Sequence, residues 1–316
     1  MVAFPAALRS VQPLMLQIVH HPDYVGPPAP GSSFPADKYG LLMDALAESG
    51  APFRIHHPDP MPEPWIAAVH DAAYVREVLA AAVPPDKERR IGFAVTPHVA
   101  RRSQLSSGGT WLAARLAMVH GYAANGAGGS HHALADTGAG YCVFNDLAIA
   151  SHRLIAEGDA RRILILDLDV HQGDGTAALL AGRPDIFTLS VHADKNFPVR
   201  KARSDLDIPL PDATDDDGYM AALGEALPRT LDDFAPDLIL YQAGVDPHGE
   251  DALGRLALTD AGLDRRDRHV AREAGRRKLP LASVLGGGYG KDRMAVARRH
   301  ARTMLTLADC LSPFSD

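Results

Sequence analysis

Ile163-Leu-Ile-Leu-Asp-Leu-Asp-Val-His-Gln-Gly-Asp-Gly175 is the stretch whose reading decides the fold. Its first half is almost unbroken in aliphatic residues, the composition of a strand buried on both faces of a parallel sheet. The strand, predicted over Ile163 to Leu168, ends in Asp167, Asp169 and His171. Side chains at i, i+2 and i+4 of an extended segment project to one side. Open α/β sheets bind ligands at the C-terminal ends of their strands, and two carboxylates with an imidazole suit a divalent metal. A salt-bridged turn is the ordinary reading of a lone Asp-x-Asp, but the added His and the Gly-Asp-Gly that follows favour a metal site.

Working outward, short β-branched or aliphatic runs alternate with longer helical patterns. The predicted strands are 14–19, 53–56, 122–125, 163–168, 186–191, 238–242 and 281–285, and the predicted helices 36–49, 72–82, 99–120, 146–157, 216–233, 259–275 and 292–307. This alternation predicts an α/β fold, a three-layer α/β/α arrangement with a mostly parallel central sheet. No repeat is evident, and a single catalytic domain over 1–316 is expected. The proline-rich stretches 22–35 and 58–64 read as long surface loops.

Three other strand ends carry chemistry. The run Leu238 to Gln242 leads to Ala-Gly-Val-Asp246-Pro-His248. If Asp246 completes the set, zinc would be held by Asp169, His171 and Asp246 with one position left for water, the catalytic arrangement; by itself Asp246 also reads as a turn aspartate before proline. Gly126-Ala-Gly-Gly-Ser-His131-His132 presents adjacent imidazoles, which in an extended loop point in different directions. They suit acid and base work, with Asp167 and Asp174 orienting one ring each through its other nitrogen. Tyr289, in Leu285-Gly-Gly-Gly-Tyr-Gly290, is placed to donate to a developing oxyanion.

Bulk properties exclude several classes. The formal charge of −7, with acids and bases interspersed, offers no broad surface for nucleic acid. Cys142 and Cys310 are the only cysteines, so neither a disulfide framework nor a cysteine zinc cluster is expected. No apolar run nears the roughly 18 residues of a membrane span, and residues 1–12 lack a signal-peptide core; a cytoplasmic location is expected. The glycine loop lacks the Gly-Lys-Ser/Thr ending of a phosphate cradle. His20, His21, His56, His57, His70 and Cys142 read as structural, and the arginine-rich helices after Thr259 and Asp292 as solvated faces.

With these residues in place, the chain resembles the histone deacetylase family from about Leu14 to Leu307. The resemblance rests on Gly129-Ser-His-His-Ala133, Gly140-Tyr-Cys142, the stretch Asp167 to Gly175, Ala243-Gly-Val-Asp246 and Gly286-Gly-Gly-Tyr289, in that order. Gln172, Gly108-Gly-Thr110 and Asp251-Ala-Leu-Gly254 point to its class IV branch. The resemblance implies an arginase/deacetylase-like fold and one zinc per chain on Asp169, His171 and Asp246. It implies His131 and His132 as the acid/base pair, Asp167 and Asp174 as their partners, and Tyr289 as the group that polarises the carbonyl. It further implies a structural potassium at Asp167, Asp169, His171, Ser190 and Val191, and a substrate channel walled by Gly140 and Tyr141, the latter standing where many relatives have phenylalanine.

The implied activity is hydrolysis of an Nε-acyl-lysine amide in a protein or peptide, acetyl or longer. Deacylation of small acetylated amines or polyamines and a catalytically silent acyl-lysine binder are the alternatives. Related binuclear manganese enzymes fit less well, because the third loop carries Asp246-Pro-His248 in place of a second Asp-x-Asp.

Overall fold

A computed structural model describes residues 15–26 and 34–311. Its strands are β1 (Leu16–Val19), β2 (Phe53–His56), β3 (Tyr122–Asn125), β4 (Ile163–Asp167), β5 (Ile186–Ala193), β6 (Leu206–Leu210), β7 (Leu238–Gln242) and β8 (Leu281–Val284). The helices are α1 (Lys38–Glu48), α2 (Glu63–Ala67), α3 (Ala72–Leu79), α4 (Pro85–Ile91), α5 (Pro97–His120), α6 (Asp146–Glu157), α7 (Asp174–Leu179), α8 (Asp216–Phe234), α9 (Asp260–Arg276) and α10 (Arg293–Cys310). The strands form one sheet in the order β2-β1-β3-β8-β7-β4-β5-β6, and each neighbouring pair runs parallel.

Period-two alternation in the strands divides the core into two layers. Leu164 and Leu166 of β4 join Ile239 and Tyr241 of β7 on the face covered by α1, α8, α9 and α10. Ile163 and Ile165 join Leu238, Leu240, Ala282 and Val284 on the face covered by α5 and α6. Helix boundaries follow local chemistry. Asn145 accepts the Ala148 amide at the start of α6, Thr259 that of Gly262 at α9, and Asp292 that of Ala295 at α10, each supplying an acceptor to an otherwise orphaned amide. The central strands β3, β8, β7 and β4 are adjacent, so four loops converge over one sheet edge.

Several expectations need correction. Strand β6 was not predicted, because Asp207 and Pro209 break its apolar pattern; as an edge strand it tolerates both. The 58–64 stretch is not simply surface loop, since Met61 is fully buried and α2 begins at Glu63. Of 22–35, residues 27–33 lie outside the described residues, as does Leu14, whereas Tyr24 and Phe34 are core. Helix α9 is not a purely solvated face: Arg266 has 0% exposure. Its guanidinium is held by Asp267 (2.9 Å) and by the carbonyls of Gly244 (2.6 Å) and Leu168 (3.4 Å), so it braces the β7 and β4 loops against each other.

Candidate active site

The loop after β3 turns back on itself because Gly128 and Gly129 adopt φ of +84° and +83°, a region that favours glycine. Asp146, at the start of α6, fixes the turn: it accepts the amides of Gly129 (3.1 Å) and Ser130 (2.7 Å) and the Thr110 hydroxyl (2.5 Å). Burial pushes this carboxyl up, against those hydrogen bonds. The loop is therefore not extended, and His131 and His132 do not diverge: their rings lie 4.1 Å apart, both lining one cavity.

Each imidazole has its own carboxylate. Nδ1 of His131 lies 2.7 Å from Asp167, and Nδ1 of His132 lies 2.7 Å from Asp174. The surroundings drive the two rings apart in charge. Burial opposes the charged form of His131, but Asp167 and Asp169 outweigh it and raise the pKa to about 9. Burial and the neighbouring His131 outweigh Asp174 at His132 and lower it to about 4. The surroundings thus favour the cation at His131 and the neutral ring at His132, whose Nε2 has no hydrogen bond among the described residues.

Asp169 and His171 follow β4, Asp246 follows β7, and one ligand atom from each lies within 4.8 Å of the others. His171 Nδ1 sits 3.0 Å from Asp169 and 3.2 Å from Asp246. Outer contacts hold the carboxylates: Asp169 accepts from Gly287 (2.8 Å), Gln242 (3.3 Å) and the His171 amide (3.0 Å), and Asp246 from the Val170 amide (2.9 Å). Among the described residues Asp246 Oδ2 is buried without a hydrogen-bonded donor, although His171 Nδ1 approaches it to 3.2 Å. Burial and the charge of Asp169 push Asp246 up to about 7, while His171, despite burial, is raised to about 10 by Asp169 and Asp246. Two crowded carboxylates, one with an orphaned inward oxygen, and an imidazole fit a divalent cation in chemistry and number. A Cβ at Gly287 would strike both carboxylates, so the backbone there must be glycine for the donors to close up.

Aromatic side chains, Phe34, Tyr39, Tyr141, Phe197 and Tyr289, form much of the remaining wall of the cavity, which is about 430 Å³ in volume. Tyr289 follows β8, its amide donating to Asp251 (2.6 Å) and its ring 6.4 Å from that of His171 and 5.7 Å from that of Tyr141. Burial, reinforced by the charges of Asp169 and Asp246, raises its phenol well above the usual range, so it remains a donor. Phe197 packs edge-on against His132 at 4.8 Å. A Cβ on Gly140 would strike His132 and Phe197, and Gly140 and Tyr141 both lie on the cavity lining. Ser190 is registered beside Asp167 on the adjoining strand, its hydroxyl 2.9 Å from His192, and Val191 follows it, buried.

Sequence reasoning missed Lys38. Buried, it lies on the cavity wall, and its ammonium donates to the Gly286 carbonyl (2.7 Å). Burial lowers it to about 8, against the pull of Asp169 and Asp246. A lysine opening an amphipathic helix reads as a surface residue, and only the fold reveals its position. Asp146 was legible only as a helix start. Of the other candidates, His70 bridges the Leu134 carbonyl (2.8 Å) and the Asn145 amide (2.9 Å), and His56 bonds Gln17 (2.8 Å). Cys142 lines the cavity with its thiol pushed up by burial.

Residues 32–305 match the family model of the histone deacetylase domain. The chain is 44% identical over 286 residues to an uncharacterised protein of Picosynechococcus sp., spanning 90% of this chain and 95% of that one. It is 35% identical over 192 residues to histone deacetylase 2 of Arabidopsis thaliana, spanning 60% of this chain and half (50%) of that protein. In fold it is similar to an acetylpolyamine aminohydrolase from Burkholderia pseudomallei, with a TM-score of 0.76 at 24% identity over 92% of this chain and 97% of that one. The HD domain of HDA15 gives 0.78 at 19% identity over 94% and 91%. With its parallel sheet of the arginase/deacetylase type and a family match running through every loop that builds the cavity, the chain belongs to the histone deacetylase family.

Proposed function

We propose that this chain is a zinc-dependent hydrolase that removes acetyl or longer acyl groups from Nε-acyl-lysine in proteins or peptides, acting as one catalytic domain in the cytoplasm. The observation that carries the reading is the pair of His–Asp dyads flanking a three-donor cation site. A zinc ion on Asp169, His171 and Asp246 would supply Lewis acidity toward water and the acyl carbonyl.

The chain's own groups perform the rest. His132 accepts the proton of the attacking water at Nε2 and later delivers it to the leaving amine, while Asp174 holds its Nδ1. His131, kept positive by Asp167, offsets the negative charge that develops on the acyl oxygen. Tyr289 donates its phenolic hydrogen to that oxygen. Gly140 and Tyr141 admit a linear acylated amine. Potassium is proposed as a structural ion at Asp167, Asp169, His171, Ser190 and Val191, supported by the strand register that sets Ser190 beside Asp167.

A class IV assignment draws support from what its marker residues do. Gln172 exchanges hydrogen bonds with Ala202 in both directions (2.9 Å each), Thr110 anchors Asp146, and Asp251 holds the Tyr289 amide. Lysine peptides bearing acetyl, lactyl and long fatty acyl groups, assayed beside acetylated polyamines with and without a chelator, test the proposal. Chelator-sensitive hydrolysis of a peptide series is expected. Turnover of polyamines alone would move the activity to small amines, and binding without turnover by the zinc-loaded protein would make it a silent reader.

A further inference from the structure

The mouth of the cavity carries a charge opposite to that of the whole molecule. The chain has a formal charge of −7, yet the two stretches that form the lip, residues 89–92 and 194–203, hold six cations against the single carboxylate Asp194. Both stretches are tied to the channel. The Arg90 and Ile91 carbonyls accept the amides of Gly140 (3.1 Å) and Tyr141 (2.8 Å). The loop 194–203 contributes Lys195 to the cavity wall and lays Phe197 on His132. Lys201 secures that loop by donating to the Asn196 (2.6 Å) and Pro198 (2.8 Å) carbonyls.

Four of these cations, Arg89, Arg90, Arg200 and Arg203, are exposed and have no ion-pair partner among the described residues. Several acids of the neighbouring segments are committed elsewhere, Asp212 to Arg255 (3.0 Å), Asp174 to His132, Glu88 to the Val95 amide (2.7 Å), and Asp251 to the amides of Tyr289, Leu253 and Gly254, which leaves exposed Asp86 and Asp194 against the four arginines. Two apolar side chains of the same region face solvent, Val199, next to Arg200, at 96% exposure and Leu253, on the cavity lining, at 41%. Unneutralised guanidinium groups on segments that wall a channel attract carboxylates and repel ammonium groups, over a range set by the Debye length of roughly 8 Å at physiological salt. Each is also built to grip a carboxylate with two parallel hydrogen bonds.

We propose that the lip selects acyl-lysine set in an acidic peptide segment, and that it disfavours polycationic substrates, whether lysine-rich tails or acetylated polyamines. This inference rests on the acyl-lysine reading of the site, and names the substrate class within it. The test uses the zinc-loaded enzyme and three probes: an acetyl-lysine peptide flanked by glutamates, the same peptide flanked by lysines, and an acetylated spermidine. Values of kcat/KM at about 50 mM and about 500 mM salt are compared with fluorescence anisotropy of labelled peptides. The variant Arg89→Glu/Arg90→Glu/Arg200→Glu/Arg203→Glu is measured alongside, and the ratio between peptides is read so that any general loss cancels.

The expected result is a preference of about tenfold or more for the acidic peptide at low salt, shrinking at high salt and inverted in the variant. Equal constants for the two peptides, or a preference for the cationic probes, would overturn the inference. If the native enzyme hydrolyses none of the three, the acyl-lysine reading fails separately, and anisotropy still decides the lip: tighter binding of the acidic peptide upholds it, and equal binding overturns it.

Discussion

Replacing Asp146 by alanine tests whether a residue that touches neither substrate nor cation governs the rate by holding the histidine loop. The substitution removes the acceptor of the Gly129 and Ser130 amides and of the Thr110 hydroxyl. Each buried amide left unsatisfied costs about 1–3 kcal/mol, so two of them cost about 2–6 kcal/mol. A domain of ordinary stability, about 5–15 kcal/mol, stays largely folded under that load at low denaturant. The larger effect is on chemistry. With its turn released, the loop carrying His131 and His132 shifts, and a displacement of about 1 Å lowers the rate about 100-fold. Asp146→Asn retains one acceptor oxygen and is expected to fall between alanine and the native enzyme. Denaturant midpoints, kcat and KM for both variants separate the effects. A folded Asp146→Ala enzyme with native kcat, or one whose kcat falls only in proportion to its unfolded fraction, would refute the positioning role.

Tyr289→Phe removes the proposed oxyanion donor and should lower kcat by about 100-fold or more with little change in KM; near-normal turnover in steady-state assays would remove Tyr289 from that role. His70 yields a pH prediction. Burial lowers its pKa from 6.5 to about 4, against hydrogen bonds to the Leu134 and Ala135 carbonyls, so it is neutral when folded while the unfolded chain titrates near 6.5. Between those values the unfolded state binds more protons. The contribution of His70 to stability is therefore complete above about pH 6.5 and declines as pH falls toward 4, by up to about 1.4 kcal/mol per pH unit. Denaturation curves of His70→Gln should show a flatter acid slope, and an unchanged slope would contradict the assignment.

What the sequence made legible were features that repeat a local rule. The aliphatic run before Asp167 announces a buried strand, the spacing of Asp167, Asp169 and His171 announces a shared side, and the glycines before His131-His132 and on either side of Tyr289 announce close approach. What it hid depends on contacts between distant segments. Lys38 opens a helix and gives no sign that its ammonium reaches Gly286, 248 positions away. Arg266 sits among other arginines of α9, and only the meeting of the β4 and β7 loops beneath it explains its burial. Strand β6 violates the apolar pattern because an edge strand needs less of it. The divergence expected of adjacent histidines failed for a local reason: two left-handed glycines fold the loop and bring the rings together.

Metal content of the purified protein, measured by mass spectrometry for the native chain and for Asp246→Ala, tests the three-donor site most directly. About one zinc per chain in the native protein and its loss in the variant are predicted, since three protein ligands define the site. Two metal ions per chain, or zinc retained equally after Asp246 is removed, would contradict the account.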